Sequence, residues 1–106
     1  MAISASESQL RAIEGLRNRS KFKENPHYPG APTEDIRIRC ESRVNEFLIE
    51  IEALLKEGTD EAALYSRARV LEASFAREDT EEREKVGDYI GDAMRILELH
   101  DWLEYV

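Results

Sequence analysis

The stretch that decides the fold is TEDIRIRCESRVNEFLIEIEALLKEG, residues 33–58. Thr33 is a good N-cap, two acidic residues follow it in the first turn, and Gly58 stands where a helix C-terminus favours glycine. Between these ends, apolar residues recur every three or four positions, which is the pattern of an amphipathic helix. The stretch therefore predicts one long helix with a buried stripe. The stripe comprises Ile36, Cys40, Val44, Phe47, Leu48, Ile51, Leu54 and Leu55.

A first helix is predicted before this one, over residues 6–22. Ser6 and Gln9 have the spacing of a capping box, and the apolar positions that follow lie on one face. Lys21 falls on a face of this helix other than the apolar one. Residues 23–32 are predicted to form a loop, because two proline-containing turn signals and a third proline interrupt any helical pattern.

Two more helices are predicted after the long one. The third begins at Thr59 or Asp60 and is rich in alanine, so that a neighbouring helix can approach it closely. The fourth begins near Asp79 or Thr80, where Asp79 and Glu82 have the spacing of a capping box. The predicted core stripe of the fourth helix is Val86, Ile90, Ala93 and Leu97.

The fourth helix also carries Gly87 and Gly91 on one face, which predicts tight packing of a neighbouring backbone there. The end of the chain, residues 99–106, is rich in Leu, Trp and Tyr and is expected to fold back onto the helices. The fold class predicted is all-α. The architecture predicted is a compact four-helix bundle-like single domain, residues 1–106, with a C-terminal apolar tail folded onto it.

Composition excludes several function classes. The net charge of −8 argues against binding nucleic acid through its phosphates and against an anionic membrane surface. No apolar run approaches the length of a transmembrane span, and the N-terminus lacks the features of a signal peptide. A lone cysteine, Cys40, cannot form an internal disulfide. We therefore expect a cytoplasmic protein.

The acidic residues are concentrated at the end of the chain. Residues 78–106 contain ten acidic and three basic side chains, whereas residues 1–77 contain thirteen and twelve. Four of the acids have helical spacing on one face of the predicted fourth helix, and each like-charge pair four residues apart costs about 0.2–0.5 kcal/mol. A repulsive row predicts a basic partner. The alternative, weighed equally, is a solvated face moderated by Lys85 and Arg95. The four acids are Glu81, Glu84, Asp88 and Asp92.

Two aromatic residues near the C-terminus, Trp102 and Tyr105, are further candidates for partner binding, because Trp and Tyr are favoured interface anchors. The alternative for Trp102 is that it completes the core. Cys40 lies in a predicted buried stripe, and His27 and His100 have no metal-ligand spacing. Because no catalytic, metal-binding or phosphate-binding motif occurs, we expect neither an enzyme nor a cofactor.

Three short features resemble known proteins: Tyr28-Pro29-Gly30 before the long helix, Glu57-Gly58-Thr59 after it, and residues 77–83 before the last helix. With these, the chain is similar to a family of small bacterial helical proteins known only as a domain of unknown function. It also looks like the small all-helical immunity proteins that protect bacteria against type VI-secreted toxins, including one that neutralises an NAD-degrading toxin. The similarity covers residues 22–106, and the apolar end of the chain departs from it.

The resemblance implies a non-enzymatic protein that blocks a cognate toxin by covering its active site. An acidic surface suits a toxin whose basic cleft binds an anionic substrate. The function hypothesis is therefore an immunity protein whose partner is a basic toxin domain. The alternative is a structural or adaptor helical module that forms a homodimer or larger homo-oligomer through the fourth helix and the C-terminal aromatic residues; an enzyme ranks third.

Overall fold

A computed structural model of the chain describes residues 2–102, and within them an all-α fold. Four helices pack around one core, a short two-stranded ribbon joins the N-terminus to the middle of the chain, and the Cα radius of gyration is 13.6 Å. The prediction of an all-α, four-helix arrangement is confirmed. None of the helices found in residues 2–102 is long and apolar enough to cross a membrane. The elements are β1 (Ala2–Ile3), α1 (Glu7–Asn18), α2 (Glu34–Glu57), β2 (Thr59–Asp60), α3 (Glu61–Ser74) and α4 (Thr80–Ile96).

Helix α2 has the ends and the buried face that its sequence predicts. The Thr33 hydroxyl accepts a hydrogen bond from the Ile36 N–H at 3.2 Å. At the other end Gly58 adopts a φ of +100°, which favours glycine, and its N–H donates to the Leu54 carbonyl at 2.9 Å. Six members of the predicted stripe are buried, while Ile36 and Leu54 are half-buried at its edge. The prediction for this helix is confirmed.

Helix α1 ends at Asn18, four residues earlier than predicted, because the chain turns inward to bury Lys21 and Phe22. Lys21, which the sequence places off the apolar face of the first helix, is 1% exposed. Its Nζ donates to the carbonyls of Arg17 and Arg19 and to Oδ1 of Asn45, at 2.7–3.0 Å. Burial lowers the pKa of Lys21 to about 8, and the three acceptors satisfy its amino group.

Phe22 joins the loop after α1 to helices α3 and α4. Its ring stacks on Phe75 at the end of α3, with ring centroids 5.8 Å apart. The same ring meets Tyr89 of α4 edge-on at 5.1 Å and Tyr28 of its own loop at 6.4 Å. Its N–H donates to the Tyr89 hydroxyl at 2.9 Å. The connection between α1 and α2 is therefore part of the core.

The predicted starts of α3 and α4 have different outcomes. The Asp60 side chain caps α3 by accepting from the Ala63 N–H at 2.9 Å, as a start at this residue predicts. The predicted capping box at α4 is wrong, because Asp79 makes no side-chain cap and Glu82 turns inward with 1% of its surface exposed. The stripe from Val86 to Leu97 is buried as predicted.

The two ends of the described chain pack against the helices. Strand β1 pairs antiparallel with β2, Ala2 opposite Asp60, an interaction that the sequence did not predict. After α4 the chain turns so that Leu99 and Trp102 are buried, which agrees with the expectation for the first part of the tail. The rest of the predicted tail, residues 103–106, lies outside the described residues.

We predict that replacing Phe47 by Ala lowers the free energy of unfolding by about 3–5 kcal/mol, because this side chain is 4% exposed within the core. Two residues further along α2, Ile49 is 53% exposed, and Ile49→Ala should cost less than about 0.5 kcal/mol. Urea denaturation of both variants measures the difference. Equal losses would show that α2 does not bury the predicted stripe.

A candidate protein-binding groove on α4

An open groove of about 730 Å³ runs along the outer side of α4. Helix α4 forms its floor, Leu99, His100 and Trp102 of the C-terminal turn line it, and Glu72 of α3 completes the lining. A smaller concavity of about 300 Å³ continues it toward the loop containing Tyr28, and the two share Glu84, Lys85 and Asp88. The groove and its continuation follow α4 for most of its length.

The floor of the groove contains Gly87 and Gly91. A Cβ atom built on either glycine meets no described atom within 4 Å. The predicted close packing of a neighbouring backbone on these glycines is therefore wrong for residues 2–102. A glycine inside a helix costs about 1 kcal/mol relative to alanine. No contact within the described part of the chain offsets this cost.

The acidic row predicted from the sequence lies along this surface. Glu84, Asp88 and Asp92 line the groove, and Glu81 lines the smaller concavity beside the loop. Residues four apart in a helix are about 6 Å apart along its axis, so the three carboxylates of the groove form a regularly spaced series. The structure thus brings all four predicted acids onto one surface, with Trp102 at its edge.

Basic residues of α4 moderate part of the row. Lys85 Nζ lies 3.8 Å from an Asp88 carboxylate oxygen, and Arg95 is 2.9 Å from Asp92. Asp88 nevertheless remains 70% exposed. Glu84, like Glu81, forms no ion pair within residues 2–102. The row is therefore less repulsive than its sequence indicates, but it still presents exposed carboxylates.

Trp102 forms a wall of the groove rather than a protruding anchor. It is 6% exposed, and the Arg69 guanidinium lies over its ring at 5.3 Å. Arg69 also donates to the Trp102 carbonyl at 2.8 Å, which fixes the turn after α4. Tyr105, the other aromatic candidate, lies outside the described residues. Both residues keep their partner-binding role as a prediction.

Two acids of the C-terminal segment, Glu78 and Glu82, bind other side chains of the protein and are not part of the exposed acidic row. Glu78 accepts hydrogen bonds from Arg39 at 2.7 Å and Arg43 at 3.0 Å, and these bonds, chiefly that from Arg39, hold the pKa of Glu78 below its usual range. This pairing ties α2 to the connection between α3 and α4. Glu82 is buried. The acidic count of this segment therefore overstates its surface charge.

Glu82 anchors the loop that borders the smaller concavity. The Tyr28 hydroxyl donates to Glu82 Oε2 at 2.6 Å in a buried contact. Burial, followed by this hydrogen bond, raises the pKa of Tyr28 well above its usual value. Lys85 lies over the Tyr28 and Tyr89 rings at 5.5 and 5.3 Å, which holds its stem against the same loop. Sequence reasoning missed this contact, although Glu82 stands on the apolar stripe one turn before Val86.

The remaining reactive residues do not converge on the groove. Cys40 is fully buried, and burial raises the pKa of its thiol to about 11. Because the thiolate is the nucleophile, we expect Cys40 to react slowly at neutral pH. His27 lines the small concavity and His100 the main groove. In residues 2–102 no three His, Cys, Asp or Glu side chains are grouped as ligands for a metal ion.

Comparison with known proteins identifies the family of this all-α chain. Residues 4–101 match the family described as a domain of unknown function, DUF4844, and the chain belongs to that family. No curated protein and no solved structure matches it. The resemblance to a family of unknown function is therefore confirmed, and the likeness to type VI immunity proteins stays a prediction.

We predict that the contact between Tyr28 and Glu82 couples the loop to α4. Tyr28→Phe removes the hydroxyl donor from a buried carboxylate and should lower the free energy of unfolding by roughly 1–3 kcal/mol. Glu82→Leu should be similarly costly, because it leaves the hydroxyl unpaired. The double variant Tyr28→Phe/Glu82→Leu should cost clearly less than the sum of the two. Additive losses in urea denaturation would show that the two side chains do not interact.

Proposed function

We propose that this protein binds a basic protein partner through the α4 groove and inhibits it. The proposed partner is a bacterial toxin domain, and the proposed role is that of its cytoplasmic immunity protein. The observation that carries the proposal is a groove with a glycine floor beside a regular series of carboxylates. This combination admits long cationic side chains and provides acceptors for them.

The groove suits Lys and Arg side chains in particular. Their apolar stems can pack against Leu99 and Trp102, and their charged ends can reach the carboxylates of Glu84 and Asp88. The absence of side chains at the glycines lets a partner element approach the α4 backbone. A partner that presents basic residues about 6 Å apart, as an α-helix does at every fourth position, matches the spacing of the acids.

The proposed inhibition depends on the resemblance between the acidic groove and an anionic substrate of the toxin. A toxin that acts on an anionic substrate has a basic cleft, and a row of exposed carboxylates competes for that cleft by its charge. Complementary charge also speeds the encounter, and this helps an inhibitor that must capture a toxin before it acts. The inhibitor needs no catalytic group for this role.

The partner can be sought by affinity purification from the native host, followed by mass spectrometry. The bait should be the wild-type chain in parallel with Asp88→Asn/Asp92→Asn. Glu14→Gln/Glu57→Gln, which removes the same charge from two exposed acids away from α4, is the matched control. A basic protein recovered by the wild type and the control, but not by the groove variant, supports the proposal. A partner whose expression arrests growth unless this protein is present would establish immunity.

With the purified partner, we predict that Asp88→Asn/Asp92→Asn slows association and flattens its dependence on salt, because exposed charges act mainly on the on-rate. The free energy of unfolding should be retained, since a like-charge pair is relieved. Stopped-flow measurements at two salt concentrations test this against the Glu14→Gln/Glu57→Gln control. Identical kinetics for all three proteins would show that the row is a solvated surface only.

We predict opposite effects on stability and binding for alanine in the groove floor. Gly87→Ala and Gly91→Ala should each raise the free energy of unfolding by up to about 1 kcal/mol, because helix propensity improves without a clash among the described residues. Both should weaken partner binding by obstructing close approach. Gly15→Ala, equally open but on α1, is the control that should stabilise without affecting binding. Binding unchanged in all three variants would contradict a contact at the floor.

A further inference from the structure

Lys85 places a positive charge beside the acidic row of α4. It lines both the main groove and its smaller continuation, as do Glu84 and Asp88. Its side chain is 19% exposed, and its ammonium lies 5.5 and 5.3 Å from the centroids of the Tyr28 and Tyr89 rings. The two rings hold the cation near one position, because its stem packs against them instead of extending into solvent.

The three basic residues that line the main groove differ in how their charges are satisfied. Arg95 donates to a carboxylate at 2.9 Å, and Arg83 donates to a hydroxyl at 3.0 Å. Lys85 forms no hydrogen bond within residues 2–102, since the Asp88 carboxylate, 3.8 Å from Nζ, is beyond hydrogen-bond reach. An ammonium has three N–H donors, so those of Lys85 remain available.

The ammonium of Lys85 is reachable from the groove. In the part of the chain that the structure describes, every fully buried side-chain nitrogen or oxygen has a hydrogen-bond partner. Lys85 Nζ has none and is therefore not fully buried. Water can serve its donors in the free protein. A bound partner that excludes this water has to provide an acceptor instead, because a buried charge without a partner is costly.

We propose that Lys85 determines the specificity of the α4 groove by binding a carboxylate of the partner. This inference rests on the proposed function and narrows it: the partner presents an acidic side chain between basic ones, not a continuous basic surface. Asp88, which is 70% exposed, pairs with a basic side chain of the partner, while Lys85 pairs with the acidic one. A partner with a basic side chain at this point brings two cations together, which disfavours it.

The acids of the groove give the spacing that such a partner needs. Glu84 and Asp92 are eight residues apart and therefore about 12 Å apart along α4. The ammonium of Lys85, 3.8 Å from Asp88, lies between these two acids. A helical partner matches this pattern when it has Arg at positions i and i+8 and Glu at i+4.

Two synthetic helical peptides with Arg at i and i+8, identical except for Glu or Gln at i+4, test the inference. Fluorescence anisotropy at low salt, up to about 1 mM protein, gives the Kd of each peptide for the wild type and for Lys85→Met. Methionine keeps an unbranched stem against the tyrosine rings and removes the charge. The ratio of the Kd of the Gln peptide to that of the Glu peptide should be about threefold to tenfold larger for the wild type. Differences in peptide helix content cancel in this comparison.

Lys56→Met is the matched control, because Lys56 is exposed on α2 and lines neither concavity. It should keep the wild-type ratio, and circular dichroism confirms that each variant is folded. A ratio that is equal in the wild type and Lys85→Met, or that falls as much in Lys56→Met, overturns the role of Lys85 alone. Peptides that do not bind the wild type, or that bind Asp88→Asn/Asp92→Asn equally well, contradict the proposed function of the groove and the role of Lys85 with it.

Discussion

The structure depends on the burial of Phe22 in a loop that also has to return the chain to α2. Its backbone lies in the left-handed region at φ +61°, which costs a residue other than glycine on the order of 1–3 kcal/mol. Burial of the whole ring against Phe75 and Tyr89, together with the hydrogen bond from its N–H to the Tyr89 hydroxyl, offsets that cost. One residue thereby connects the end of α1, the end of α3 and the middle of α4.

This arrangement determines which face of α4 is presented to solvent. With Tyr89 against Phe22 and Glu82 bonded to Tyr28, the inner face of the helix is fixed at two positions two turns apart. Asp88 and the glycines then lie on the outer face, where the groove is. The buried polar contacts and the surface proposed for binding are therefore two sides of one helix, and a change in the loop would alter the orientation of the carboxylates.

The sequence predicted the features that neighbouring residues determine, such as helix caps and buried stripes. It did not predict the side chains whose position is set by residues far away in the chain. The caps and stripe of α2 were predicted because neighbours in the chain decide them. Lys21 and Phe22 continue the helical pattern of α1. They leave the helix because Phe22 packs into an aromatic cluster whose other members come from distant parts of the chain. The capping-box spacing at Asp79 was overridden by Tyr28, 54 residues before Glu82. Helical spacing placed the acidic row correctly, whereas the inward roles of Glu78 and Glu82 needed coordinates.

Native-state hydrogen exchange of two amides tests most directly whether the connection between α1 and α2 belongs to the core. The Lys21 N–H donates to Glu41 at 2.8 Å and the Phe22 N–H to the Tyr89 hydroxyl, although neither residue is in a helix. Both amides are expected to open with a free energy within about 1 kcal/mol of that for Ile51 in the centre of α2. Exchange at the rate of an exposed loop would contradict this expectation.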